Sequence, residues 1–129
     1  MTVDDVGRFL WFLCVLDFFL FVFVTLSILV MHFAMPSAIL DRYFRPPHFR
    51  DWELVMFTGI PYAPMRTIML MRAIAYPSSG KVRGVTEADT LVPAWYRVAS
   101  KILVISIILG NVIAAICVVG GGIVLLIDR

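Results

Sequence analysis

The sequence predicts an all-α integral membrane fold: two antiparallel transmembrane helices joined by cytoplasmic amphipathic helices that lie against the bilayer. Three observations lead there. Of the 129 residues, 61% are hydrophobic, above the roughly 45–50% apolar share of a soluble domain. Two apolar runs, 9–33 and 102–127, carry almost no charge, and each exceeds the roughly 20 residues needed to cross a hydrocarbon core of about 30 Å. Nine of the eleven Lys and Arg residues lie between those runs. By the positive-inside rule, that middle is cytoplasmic and both termini are outside.

Residues 1–8 form a periplasmic N-terminus. Asp4 and Asp5 stand where a secretory signal would be basic, so the first apolar run is expected to stay in the mature protein. Cys14 follows Trp11, Phe12 and Leu13, without the small residues of a lipoprotein cleavage site. The first span, 9–33, contains one acid, Asp17, and one histidine near its end, His32. Asp17 lies roughly 12 Å along a helix that starts at Phe9. An ionised carboxylate at a span centre costs about 2.5 to 3.5 kcal/mol, so a contact with a neighbouring helix is its expected role. Cys14, Asp17, Phe21, Val24 and Ile28 share one helical face.

The middle segment, 34–101, holds Arg42, Arg45, Arg50, Arg66, Arg72, Arg97 and Lys101, expected at lipid headgroups with Trp95 and Tyr96 beside them. Prolines and glycines divide it into helices over about 36–44, 50–58, 64–76 and 93–101. The stretch 77–90, "PSSGKVRGVTEADT", has the Gly, Ser and Pro punctuation of a flexible loop. A third span from Leu54 to Met71 would bury Arg66 and two prolines and separate the basic stretches onto opposite faces, so interfacial helices are preferred.

The second span, 102–127, carries a stripe of small residues, Ser106, Gly110, Ala114, Cys117 and Gly121, with Asn111 at its margin. Such a stripe lets a second helix approach closely in lipid, where no hydrophobic force drives helices together. Counting from the cytoplasmic side puts Asp17 level with Cys117 to Gly121, and Phe21 is expected to fill space beside glycine.

Two lone cysteines inside apolar runs predict no disulfide framework. His32 and His48 have no neighbours with metal-ligand spacing, so neither cofactor nor metal is expected. "PSSGKVRG" lacks the spaced glycines of a phosphate-binding loop, and no catalytic cluster is present. A net charge of +2 with dispersed cations gives no reason to expect nucleic acid.

Two apolar spans around a basic cytoplasmic middle resemble the layout of the universal stress protein B family of bacterial inner-membrane proteins. The resemblance is one of architecture and carries over no residue. The rotor-ring subunit of ATP synthase also has two spans and a membrane carboxylate, but its loop is short and its acid sits in the second helix.

The functional expectation is a non-enzymatic accessory or assembly subunit of a larger membrane complex in the bacterial inner membrane. Its partners would be other integral membrane subunits or itself, together with phospholipids. The alternatives are a self-associating channel or proton-linked carrier using Asp17, and a membrane-surface regulatory or stress-response protein.

Overall fold

The computed structural model describes residues 2–127, and every regular element among them is helical. Helix α1 runs Val3–Phe33 and α6 runs Ala94–Ile127, 31 and 34 residues. At 1.5 Å per residue each is about 45 to 50 Å long, more than the hydrocarbon core requires. Both are apolar enough to cross a membrane, and only 6% and 11% of their most apolar windows are buried. A face that exposes so much Phe, Leu, Ile and Val is suited to acyl chains rather than water.

The start of α1 is fixed by a reciprocal cap. Asp5 N–H donates to Thr2 Oγ1 (3.3 Å), and the Asp5 carboxylate accepts from Thr2 N–H (2.9 Å) and Thr2 Oγ1 (2.8 Å). This satisfies donors that a helix end leaves open and places acid at the positive end of the dipole. Pro93, immediately before α6, accepts from the N–H groups of Tyr96 and Arg97.

The chain divides into two compact units, one made of the residues up to Thr25 and from Ile105 onward, the other of Leu26–Val104. In the first unit the less exposed positions of α1 include Leu10, Leu13, Asp17, Leu20 and Val24, and those of α6 include Gly110, Ile113, Ala114, Cys117, Gly120, Gly121 and Val124. Steps of three and four mark one face of each helix.

The second unit has an interior of its own. Between the ends of the long helices lie α2 (Ser37–Tyr43), α3 (Asp51–Thr58), α4 (Ala63–Ala75) and the single turn α5 (Pro77–Gly80), with 3-10 turns at Lys81–Arg83 and Ala88–Leu91. Met31, Ile39, Tyr43, Phe49, Leu70, Met71, Ile74, Val85, Ala88 and Tyr96 form its core, each at most 4% exposed. Helices α3 and α4 meet at a bend of 116° around Gly59 to Tyr62, where Pro61 and Pro64 withhold the amide donors a straight helix would need. They therefore do not make one straight span, although a broken span remains within their length and composition.

The stretch 77–90, loop-like in sequence, is wound into short helical turns whose Val85 and Ala88 enter the core at 3% and 1% exposure. Tyr96, paired with Trp95 in the sequence reading as an interfacial anchor, requires a correction. Trp95 is 56% exposed, whereas Tyr96 is fully buried. The reason is helical phase: Tyr96, Ser100, Leu103 and Val104 line the inward side of α6, and Trp95, one residue away, points outward.

Candidate functional site

Three groups of polar side chains stand out, one in the first unit and two in the second. In the first unit, a Cβ built on Gly110 would lie 3.5 Å from Asp17 Oδ1 and 3.6 Å from a Leu20 methyl, and one on Gly120 would meet the Leu10 side chain at 2.8 Å. The Cys117 thiol interacts with that of Cys14. Asp17 has no hydrogen-bond partner among the described residues, so its carboxylate rests against the bare backbone of Gly110.

These contacts revise the expected register. Asp17 sits against Gly110 and is also near enough to the Cys117 thiol to interact with it electrostatically, so it lies between those two positions, at the edge of the Cys117 to Gly121 level expected from the sequence. Phe21 is 66% exposed, because the steps of three and four through Leu13, Asp17 and Leu20 put the neighbouring leucine on the seam. A Cβ built on Gly121 would meet nothing within 4 Å among the described residues, since Gly120 is the residue turned toward Leu10. Asn111 is exposed and donates from Nδ2 to the Ile107 carbonyl of its own helix (2.8 Å). Ser106 and Ala114 are half-buried.

The second group is a polar inlay in the core of the second unit. His32 Nδ1 and Thr67 Oγ1 share a hydrogen bond of 2.7 Å, and the Tyr96 hydroxyl donates to the Met31 carbonyl at 3.0 Å. Thr67 and Ser100 are fully buried. Ser100 Oγ and Arg66 Nε are buried without a hydrogen-bond partner among the described residues, and the Arg66 guanidinium lies 5.0 Å from the centre of the Phe44 ring. That stacking is favourable for a cation with part of its hydration removed. Arg66 is thus half-buried rather than free at a headgroup.

The third group is the most fully built. Glu53, in the first turn of α3, is 4% exposed. Arg83 grips it with both terminal nitrogens, Nη1 to Oε2 at 2.9 Å and Nη2 to Oε1 at 2.8 Å. The backbone N–H of Arg50 adds a third donor at 2.9 Å. A planar guanidinium matches a carboxylate in this forked geometry, which a lysine cannot reproduce. The Arg83 hydrogen bonds are the main reason the Glu53 carboxyl is held down at about 2 against an ordinary 4.5; burial opposes the effect, and the Arg50 amide assists it. Glu53 reciprocally raises the pKa of Arg83.

His48 ties the same turn from the other side. Its Nδ1 lies 2.7 Å from the Arg83 carbonyl oxygen; a carbonyl only accepts, so Nδ1 carries the hydrogen. The turn itself depends on two glycines. A Cβ on Gly80 would run into the Val85 carbonyl, and Gly84 has a left-handed φ of 70° with its α-carbon facing the His48 ring. Only glycine takes both positions at low cost.

Beside this turn, a cavity of about 310 Å³ opens between α4 and the 79–85 segment, lined by Phe49, Met69, Arg72, Val82, Arg83 and Val85 among others. Of the remaining cations expected at headgroups, Arg42 pairs with Glu87 at 2.8 Å on the surface. Arg45 Nε donates to the Arg42 carbonyl at 3.2 Å. Arg50, Arg72 and Lys101 are exposed, and Arg97 is half-exposed. Among the described residues, no group of three His, Cys, Asp or Glu side chains is placed to hold a metal ion.

Sequence reasoning missed the Glu53 to Arg83 pair because its members are 30 residues apart. The available signal was the Gly80 and Gly84 spacing, which marks a turn tighter than a linker needs. Comparison with protein families, with curated proteins and with solved structures finds no match to this chain.

Proposed function

We infer that this chain is a small non-catalytic accessory or assembly subunit of a larger complex in the bacterial inner membrane. Its two spans are antiparallel, its termini periplasmic and its second unit cytoplasmic, seated against the bilayer. The observation that carries the reading is open space along the small-residue surface of α6: among the described residues a Cβ built on half-buried Gly121 or exposed Gly122 would meet nothing within 4 Å, and Asn111 is exposed on the same helix. In lipid, such a surface favours a second helix, because a close backbone approach replaces the missing hydrophobic drive.

Further features support the arrangement. The contacts of Leu10 with Gly120 and of Asp17 with Gly110 run in opposite order along the two helices, as antiparallel spans require. Around the α3 to α4 bend, Val55, Ile60, Tyr62 and Met65 are 76%, 96%, 50% and 48% exposed. An apolar tip of this kind is suited to the headgroup and acyl boundary.

Gentle detergent extraction followed by native mass measurement tests the reading. The expected result is a complex heavier than one chain that Gly121→Leu dissociates while leaving the helical content unchanged. A wild-type protein that is a clean monomer with no co-purifying subunit would overturn it.

A further inference from the structure

The cavity between α4 and the 79–85 turn combines features that the accessory-subunit reading does not use. Its cationic side is Arg72 and Arg83. Arg83 already spends its fork on Glu53, so the pair is close to neutral. Arg72 differs: it is exposed, and its guanidinium has no hydrogen bond or ion pair among the described residues. One uncommitted positive charge therefore stands at the mouth of a cavity whose other walls are largely apolar: Phe49, Met69, Leu70, Val82 and Val85.

The outer face of α4 adds direction. Tyr62, Met65, Met69, Arg72 and Tyr76 recur at steps of three and four, and all are exposed or half-exposed. They form a stripe in which Arg72 stands between Met69 and Tyr76, with Met65 and Tyr62 before them, a mixture of apolar bodies with cationic and phenolic tips suited to a membrane surface. Val82, on the opposite wall, is 95% exposed, which is costly in water and favourable beside an acyl chain. The cavity lining thus includes apolar side chains, Met69 and Val82, that remain accessible from outside.

We propose that this cavity binds the phosphate of an anionic phospholipid, with Arg72 as the contacting cation and with Met69 and Val82 against the glycerol and first acyl carbons. Free inorganic phosphate shares the charge but would leave the apolar walls unmatched. The Glu53 to Arg83 pair acts as the frame: it fixes the turn that carries Val82, and with its fork committed to Glu53 the Arg83 guanidinium offers little charge to a second anion. The proposal rests on the reading of the second unit as lying at the bilayer.

Native mass spectrometry of the full chain in detergent micelles, with phosphatidylglycerol or phosphatidylethanolamine added, tests it. One phosphatidylglycerol should stay bound under activation that strips phosphatidylethanolamine. Arg72→Gln should reduce its retention about fivefold, the effect of one basic residue at a lipid surface, and Arg72→Lys should keep most of it. Arg8→Gln, in α1 and outside the cavity, should leave retention at the wild-type level. Undiminished phosphatidylglycerol binding by Arg72→Gln overturns the proposal, as does equal retention of both lipids. Displacement by millimolar inorganic phosphate assigns the cavity to free phosphate instead and overturns the lipid. Sedimentation of the wild-type chain with membranes in the same preparation separates the outcomes: a membrane-bound chain without lipid preference loses only this site, and a chain in the soluble fraction loses the bilayer reading itself.

Discussion

Replacing Arg83 with leucine tests the best-defined polar contact in the protein. The substitution leaves the Glu53 carboxylate 4% exposed, still bonded to the Arg50 amide but without its two strongest donors. Holding Glu53 at about 2 rather than 4.5 corresponds to roughly 3 kcal/mol, at about 1.4 kcal/mol per tenfold. The Arg83 side chain is 37% exposed, so solvent screening brings the expected coupling down to about 2 kcal/mol. For a unit of this size, 1 kcal/mol moves a melting midpoint by about 4 to 8 °C, so a fall of roughly 8 to 16 °C is expected. Thermal unfolding of the full chain in mild detergent measures it for Arg83→Leu, Glu53→Gln and the double variant. The double variant should be less destabilised than the two single losses added together, because each single change leaves a partner stranded. The pair also sets a pH window. Because the folded pKa of Glu53 is depressed, its contribution is complete above 4.5 and is lost as pH falls toward 2. Arg83, raised above an already high value, contributes throughout that range. The wild type should therefore lose stability between pH 4.5 and 2 more steeply than Glu53→Gln. Strictly additive losses, or identical acid profiles, would refute the coupling.

Gly80→Ala should destabilise the 79–85 turn by about 1 to 3 kcal/mol, since its Cβ would collide with the Val85 carbonyl and sit 3.1 Å from Ala73 Cβ. Faster tryptic cleavage at Lys81 and Arg83 reads the effect, and Gly59→Ala, whose nearest neighbour is 4.0 Å away, should behave as wild type. Tyr96→Phe removes the bond to the Met31 carbonyl and should lower stability by about 1 kcal/mol, measured by the same melts. Gly110→Ala should be tolerated, because its Cβ would meet Asp17 and Leu20 at ordinary contact distances and alanine favours the helix by about 1 kcal/mol. Gly110→Leu should instead force Asp17 aside and lower the melting midpoint.

The two long helices were legible in the sequence because absence of charge over more than 20 residues is a coarse signal that tolerates errors of several positions. The seam between them was not. Leu20 and Phe21 are equally apolar, so only the accumulated helical phase distinguishes the packed residue from the exposed one. The same ambiguity hid the approach of Asp17 to Gly110, beside its expected neighbour Cys117, and made Gly121 a contact in place of Gly120. Hydropathy could not separate Trp95 from Tyr96 either, since both rings suit an interface and only the inward side of α6 decides which is buried. In the middle segment, "PSSGKVRG" reads as a linker residue by residue. Its order comes from contacts 30 to 35 positions away, with Glu53 and His48, which no local pattern carries.

The central claim is that both long helices cross the bilayer and leave the second unit on the cytoplasmic side. Labelling by a membrane-impermeant maleimide tests it most directly, using single cysteines at Thr2 and Thr86 in a chain with Cys14→Ala and Cys117→Ala. In intact spheroplasts the Thr2→Cys chain should label and the Thr86→Cys chain should not; in inverted membrane vesicles the pattern should reverse. Labelling of both positions from the same side would contradict the account.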